Sequence, residues 1–222
     1  VEMTIKKSDI HFDFTGTSPQ VKTAINNVPS SATSAAMFGI RTLTGDASPD
    51  NEGGFRPVSI HFPKGSIVNP YFPAPVASRS VSLRRVVDVI LGVLSKALPH
   101  KYPAANCGQA SVIYCGTTNE LNNETIVGAI GGPWMGGMGA RPNKDGIDAT
   151  DHDASNVYHV PLEVSEAELP IRFNRMELWM DSGGAGKWRG GLGFYSEVEW
   201  LKGKAGASLR RDRHKFKPWG LA

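Results

Sequence analysis

One window of eighteen residues, Val81 to Leu98, constrains this chain more than any other. Leu83, Val86, Val87, Ile90, Leu91, Leu94 and Leu98 recur at helical spacing and define a single apolar face. Ser80 or Ser82 is placed to cap its start, Pro99 stops it, and Arg84, Arg85 and Asp88 mark its wetter side. Elsewhere, 25 glycines and 15 prolines among 222 residues cut the chain into short pieces without any period. A second helix is expected after Pro29, ending near Gly45. The remaining apolar runs read as strands: a hairpin over Met3 to Phe14 turning at Ser8-Asp9, then Pro57 to Phe62, Ala110 to Tyr114 and Thr125 to Ile130. Arg172 to Met180 and Phe194 to Leu201 flank a glycine-rich segment as strand, loop and strand, although alternation in the first is loose. Helices are not regularly interleaved with strands. The expected class is therefore α+β, a loop-rich fold of mixed and antiparallel sheets with a few packed helices. Without repeats or a clear linker, residues 1–222 are treated as one domain.

Hydrophobic residues make up 40% of the chain and charged ones 20%, enough for a sizeable core and unlike a disordered chain. No run of about eighteen apolar residues predicts a transmembrane helix, and no secretory leader opens the chain. The first residue is Val1 and the last four, Trp219 to Ala222, form no evident terminal element, so a piece of a longer polypeptide is expected. Cys107 and Cys115 are too few for a disulfide framework and lack zinc spacing, which favours buried thiols and a cytoplasmic location. Lys202 to Lys217 holds seven basic residues against one acid, Asp212, with only Phe216 interleaved. That run fits a solvated loop or a surface facing a subunit better than a nucleic-acid site.

Four segments carry candidate chemistry. Asp181 to Gly193 contains six glycines with Lys187 and Arg189, a composition that lets successive amides cradle an anion. It is not a phosphate loop of the Walker type, which needs glycine at Asp181 and Ser or Thr at Trp188, and a strand rather than a helix follows it. A tight structural loop is the favoured alternative. Asp145, Asp148, Asp151 and Asp153 gather with His152 and His159 in fifteen residues, but their spacing matches no defined metal site. An Asp-rich surface loop is favoured there. Ser78-Arg79 stands at the entrance to the long helix, where amides and a guanidinium suit a carboxylate or phosphate, or where a serine simply caps. Gly131 to Ala140 reads as a flexible loop in which Trp134 and two methionines line a pocket.

Taken in order, a larger set of segments resembles the hydantoinase-B family. They are Asp13 to Val21, Asn51 to Val58, Pro63 to Pro70, Pro73 to Val76 with Arg79, and Gly136 to Ala140 followed by Asp145-Gly146. Pro161 to Glu163 with Glu166, Asp181 to Gly193, and Asp212-Arg213 with Pro218 to Leu221 complete the series. The resemblance implies a place in complexes of the N-methylhydantoinase, 5-oxoprolinase, caprolactamase or acetone and acetophenone carboxylase type. In these, a hydantoinase-A-like ATPase subunit uses ATP to phosphorylate a substrate oxygen, and the B-type subunit completes a hydrolysis or a carboxylation. It also implies a hetero-oligomer with that ATPase, a small-molecule substrate, and no nucleic-acid or membrane partner. A divalent metal (Zn, Mn or Mg) is implied in an N-terminal half of the subunit that lies outside this chain, so no metal ligand is assigned here.

On that resemblance, Asn51, Arg56, Arg79, Asp145, Asp181, Lys187 and Arg189 are expected to line or support the reaction chamber, with Gly183 and Gly184 beside them. Arg79, Lys187 and Arg189 are the expected anion contacts. Asp145 and Asp181 orient the loops, and with Arg79 form the expected catalytic set. A carboxylase taking bicarbonate in place of water is the competing enzyme reading. A scaffold that docks the ATPase through the Lys202 to Lys217 region is the non-catalytic one.

Overall fold

Glycine and proline punctuation leaves twelve short elements in the computed structural model, which describes residues 1–45, 51–108, 111–118, 125–134, 136–155 and 157–221. They fall into two compact units, Val1–Tyr102 and Pro103–Ala222.

In the first unit, β1 (Glu2–Lys6) and β2 (Asp9–Asp13) form the expected antiparallel hairpin. It turns at Lys7-Ser8, one residue earlier than the sequence suggested, because Asp9 pairs with Lys6 and Lys7 takes a positive φ of 55°. β3 (Val58–His61) pairs with β2 in parallel, which requires a long crossover. That crossover carries α1 (Pro29–Thr44) and the short α2 (Glu52–Phe55). Pro29 at the first turn and Gly45 at the end set the limits of α1 as the sequence implied. The long helix α3 (Arg79–Ala97) begins two residues before its predicted start. Neither Ser80 nor Ser82 caps it: Ser78 holds the cap position without a side-chain bond, and Ser82 is buried, donating to the Ile25 carbonyl. Asp88 is also off the wet side, 4% exposed and bridged to Arg85 at 2.8 Å. The core is built from Phe12, Ala32, Ala36, Val87, Ile90 and Leu94, with Gly39 allowing α1 and α3 to close on Ile90.

In the second unit, β4 (Ser111–Thr118) lies antiparallel between β5 (Thr125–Trp134) and β8 (Gly206–Arg210). β5 runs on through residues 131–134, so the predicted Gly131 to Ala140 loop begins only after them; Met135 and the Trp134 side chain lie outside the described residues. α4 (Leu162–Glu168) leads into a hairpin of β6 (Ile171–Trp179) and β7 (Gly193–Trp200). A register shift between Phe173 and Arg175 explains the loose alternation of β6: Ile171 and Phe173 face inward, and after the bulge Met176 does. Cys115, Ile130, Leu169 and Ile171 form the core where sheet and hairpin meet. Part of the basic run is strand β8, whose Arg210 guanidinium covers the Tyr114 ring at 4.8 Å. Among the described residues, no helix is long and apolar enough to cross a membrane.

Candidate functional site

In the second unit, residues 103–108, 136–150 and 182–193 cross one another with their backbones in direct contact. The Cys107 amide donates to the Gly137 carbonyl at 3.0 Å, Met138 to Ile147 at 2.9 Å, Gly191 to Met138 at 2.8 Å, and Gly146 to Arg189 at 2.8 Å. Side chains are excluded from these crossings. A Cβ on Gly137 would stand 1.9 Å from the Gly191 carbonyl oxygen, one on Gly139 1.9 Å from that of Ala104, and one on Gly191 1.9 Å from that of Ile147. Both glycine-rich segments therefore serve first to let main chain approach main chain.

Two carboxylates fasten this block. Asp145 Oδ1 accepts the Arg189 amide at 2.7 Å, while the Asp145 carbonyl accepts Nε and Nη2 of Arg141 at 3.0 and 2.8 Å. Asp148 Oδ1 accepts the Leu192 amide at 2.7 Å and Nη2 of Arg189 at 3.1 Å. The Leu192 amide, aided by Arg189, holds the Asp148 carboxyl below the usual carboxylate range against the opposing effect of burial. The remaining amides of this stretch are also engaged: Gly190 donates to Gly184, Gly191 to Met138, and Gly193 to Ser182 Oγ. From Arg189 to Gly193 the loop thus spends its amides on acceptors of its own chain. Its other half stays open. Lys187 is exposed and has no hydrogen-bond or ion-pair partner among the described residues, and Gly184 has open space where a side chain would point. Asp181 begins this half with a positive φ of 60°.

The nine candidate residues divide between the units. Asp145, Asp181, Gly183, Gly184, Lys187 and Arg189 belong to the second unit, where Asp145 and Arg189 meet directly. Asn51, Arg56 and Arg79 belong to the first. Asn51 and Arg56 flank the single turn of α2, and Arg79 is the first residue of α3; all three are exposed. The Asp-rich segment is a surface loop only in part: Asp145 is exposed, whereas its centre is buried. Asp151 is 6% and His152 1% exposed. Asp151 Oδ2 accepts Ser155 Oγ at 2.6 Å, and Asp153 accepts Asn106 Nδ2 at 2.5 Å. Among the described residues, no three His, Cys, Asp or Glu side chains converge in a way that holds a metal. Sequence reasoning missed Asn26 and Asn106. Both are fully buried, and Asn26 ties the Val21, Thr23 and Pro75 backbones together. Asparagine next to loop-forming residues was the available signal.

The family model Hydantoinase B/oxoprolinase matches residues 1–222. The chain is 36% identical over its whole length to a Pseudomonas sp. (strain NS671) protein assigned as the B-type subunit of a D-/L-hydantoinase, of which it spans 38%. Among solved structures, it resembles ATP-dependent caprolactamase from Pseudomonas jessenii with a TM-score of 0.77 and 28% identity, covering 90% of this chain and 35% of that one. It also shares its fold with acetone carboxylase, with a TM-score of 0.77 and 23% identity over 99% of this chain and 30% of the other.

Proposed function

Because the chain belongs to the hydantoinase B/oxoprolinase family, we propose that it forms part of a B-type subunit that opens small cyclic amides in an ATP-dependent complex. The observation that carries this reading is the shared fold and 28% identity with an ATP-dependent caprolactamase. An unstrained amide is a poor electrophile, and converting its oxygen to a phosphate ester supplies both activation and a leaving group. ATP belongs to a hydantoinase-A-like partner in this proposal, because the glycine loop here uses the amides from Arg189 to Gly193 internally.

Within this part of the protein, Lys187 and Arg79 are the anion contacts of choice, as exposed cations beside an open glycine half-loop and at a helix start respectively. Arg189 has a different role from the one composition suggests: its guanidinium is held by Asp148 and its amide by Asp145, so all three fix the loop that presents Lys187. Asp181 sets the loop's entry and Gly184 leaves room beside it, whereas Gly183 packs against the Gly190 carbonyl oxygen; Asn51 and Arg56 remain candidates of the first unit by itself. Among the described residues no His, Cys, Asp or Glu cluster fits a divalent metal, and the metal that the family resemblance implies is assigned to the part of the subunit outside this chain. The rest of the B-type subunit, the ATPase partner and a cytoplasmic setting complete the proposal.

The fold shared with acetone carboxylase supports a second reading, in which an activated ketone is carboxylated. ATP hydrolysis by the complete subunit with its ATPase partner separates them, measured against lactams, hydantoins and ketones with and without bicarbonate. Ring opening coupled to ATP use without bicarbonate is the expected result. Turnover only with a ketone and bicarbonate selects the second reading, and no stimulated turnover rejects both.

A further inference from the structure

Sheet β5-β4-β8 and hairpin β6-β7 turn apolar faces toward each other. They close tightly at one end, where Cys115, Ile130, Leu169 and Ile171 are buried. The faces are less covered at the β8 edge, where Leu209 is 50% exposed, and at the end of β6 away from Ile171, where Trp179 is 60% exposed. A cavity of about 530 Å³ opens there, within the range of small-molecule pockets. Its floor is Ile113, Cys115 and Ile130, and its hairpin wall is Phe194, Ser196 and Val198.

Tyr195, Ser196 and Arg211 bring polar groups to this mixed lining, and two of them matter most for a ligand. Ser196 Oγ is buried and has no hydrogen-bond partner. Burying an unsatisfied hydroxyl is costly, so a partner from a bound molecule relieves a real deficit. At the rim, Arg211 is exposed and, among the described residues, has no ion-pair or hydrogen-bond partner. A guanidinium matches a carboxylate in planar, two-bond geometry. The surrounding aromatic and aliphatic walls disfavour a heavily hydrated polyanion such as a nucleotide, which would lose its water without replacement.

We propose that this cavity binds an apolar monocarboxylic acid, its hydrocarbon part between the two sheets and its carboxylate reached by Arg211 and Ser196. The site is separate from the glycine-loop block and does not depend on the amidohydrolase proposal. Trp179 and Trp200 line the cavity, so intrinsic fluorescence reads its occupancy.

The test titrates the 222-residue chain and the complete subunit with decanoate, and with decanol as the uncharged match. Saturable decanoate binding about tenfold tighter than decanol is expected in both proteins. Arg211→Gln, on an exposed residue that leaves the fold intact, brings decanoate down to the level of decanol. Ser196→Ala weakens both ligands several-fold while leaving their ratio near that of the parent. Equal binding of acid and alcohol, or an acid preference that survives Arg211→Gln, overturns the proposal. So does binding that disappears in the complete subunit, which assigns the cavity to packing by the remainder of the polypeptide.

Discussion

Replacing Gly191 with alanine tests whether the glycine loops exist for backbone crossing. The new Cβ would stand 1.9 Å from the Ile147 carbonyl oxygen and 2.6 Å from its carbon, so the two segments must part by roughly 1 Å to reach even a 3.0 Å contact. The Gly191–Met138 and Met138–Ile147 hydrogen bonds span that same gap and would break. Two bonds at about 1 kcal/mol each, with overpacking of about 1–3 kcal/mol, give a loss of about 3–5 kcal/mol. All five tryptophans lie between residues 134 and 219, in the second unit, so tryptophan fluorescence follows that unit alone during urea unfolding. With a slope of about 1.5 kcal/mol per molar urea, the midpoint falls by about 2 M or more. Gly184→Ala, in the same loop but with nothing within 4 Å of its Cβ, is the control and shifts stability by about 0.5 kcal/mol or less. Equal midpoints for the two variants would refute the crossing as the reason for the glycines.

Gly39→Ala places a Cβ 2.3 Å from Ile90 Cγ2 between α1 and α3. The gain of about 1 kcal/mol in helix propensity is outweighed by overpacking, and far-UV circular dichroism should record a net loss of about 1–2 kcal/mol in the first unit. For Asp148, the lowered carboxyl pKa contributes stability above the unfolded carboxylate value of about 3.9, and that contribution is lost as pH falls through the folded value. Asp148→Asn should therefore lower stability near neutrality by about 0.5 kcal/mol, allowing for solvent screening, and flatten the acid limb of a stability–pH curve. An unchanged acid limb would remove Asp148 as the titrating clamp. Arg79→Ala, assayed in the complete enzyme, should reduce turnover about tenfold or more without disturbing complex assembly on a sizing column; turnover at the parental rate would remove it from the site.

The long helix and the limits of α1 were legible because apolar period, Pro29, Pro99 and Gly45 all act within a few residues of the structure they determine. β8 was not legible. Gly206 to Arg210 is short, exposed and set in a basic run, and it becomes a strand only by pairing with β4 about ninety residues away. Asp88 illustrates the same limit: composition assigns it to water, whereas a bridge to Arg85 lets it be buried. The glycine segments were conspicuous as composition, yet their purpose lay in partners such as Gly191 and Ile147, 44 residues apart and invisible to local spacing. Arg189 was singled out as a cation, but only the fold reveals that Asp148 already holds it.

In the proposed enzyme, the open half of the glycine loop presents Lys187 to an activated cyclic amide. The most direct test is the ring-opening rate of the complete, ATP-supplied enzyme carrying Lys187→Ala, with assembly checked in the same sample. A fall in kcat of about a hundredfold with assembly and stability intact is predicted; parental kcat in an intact complex would contradict it.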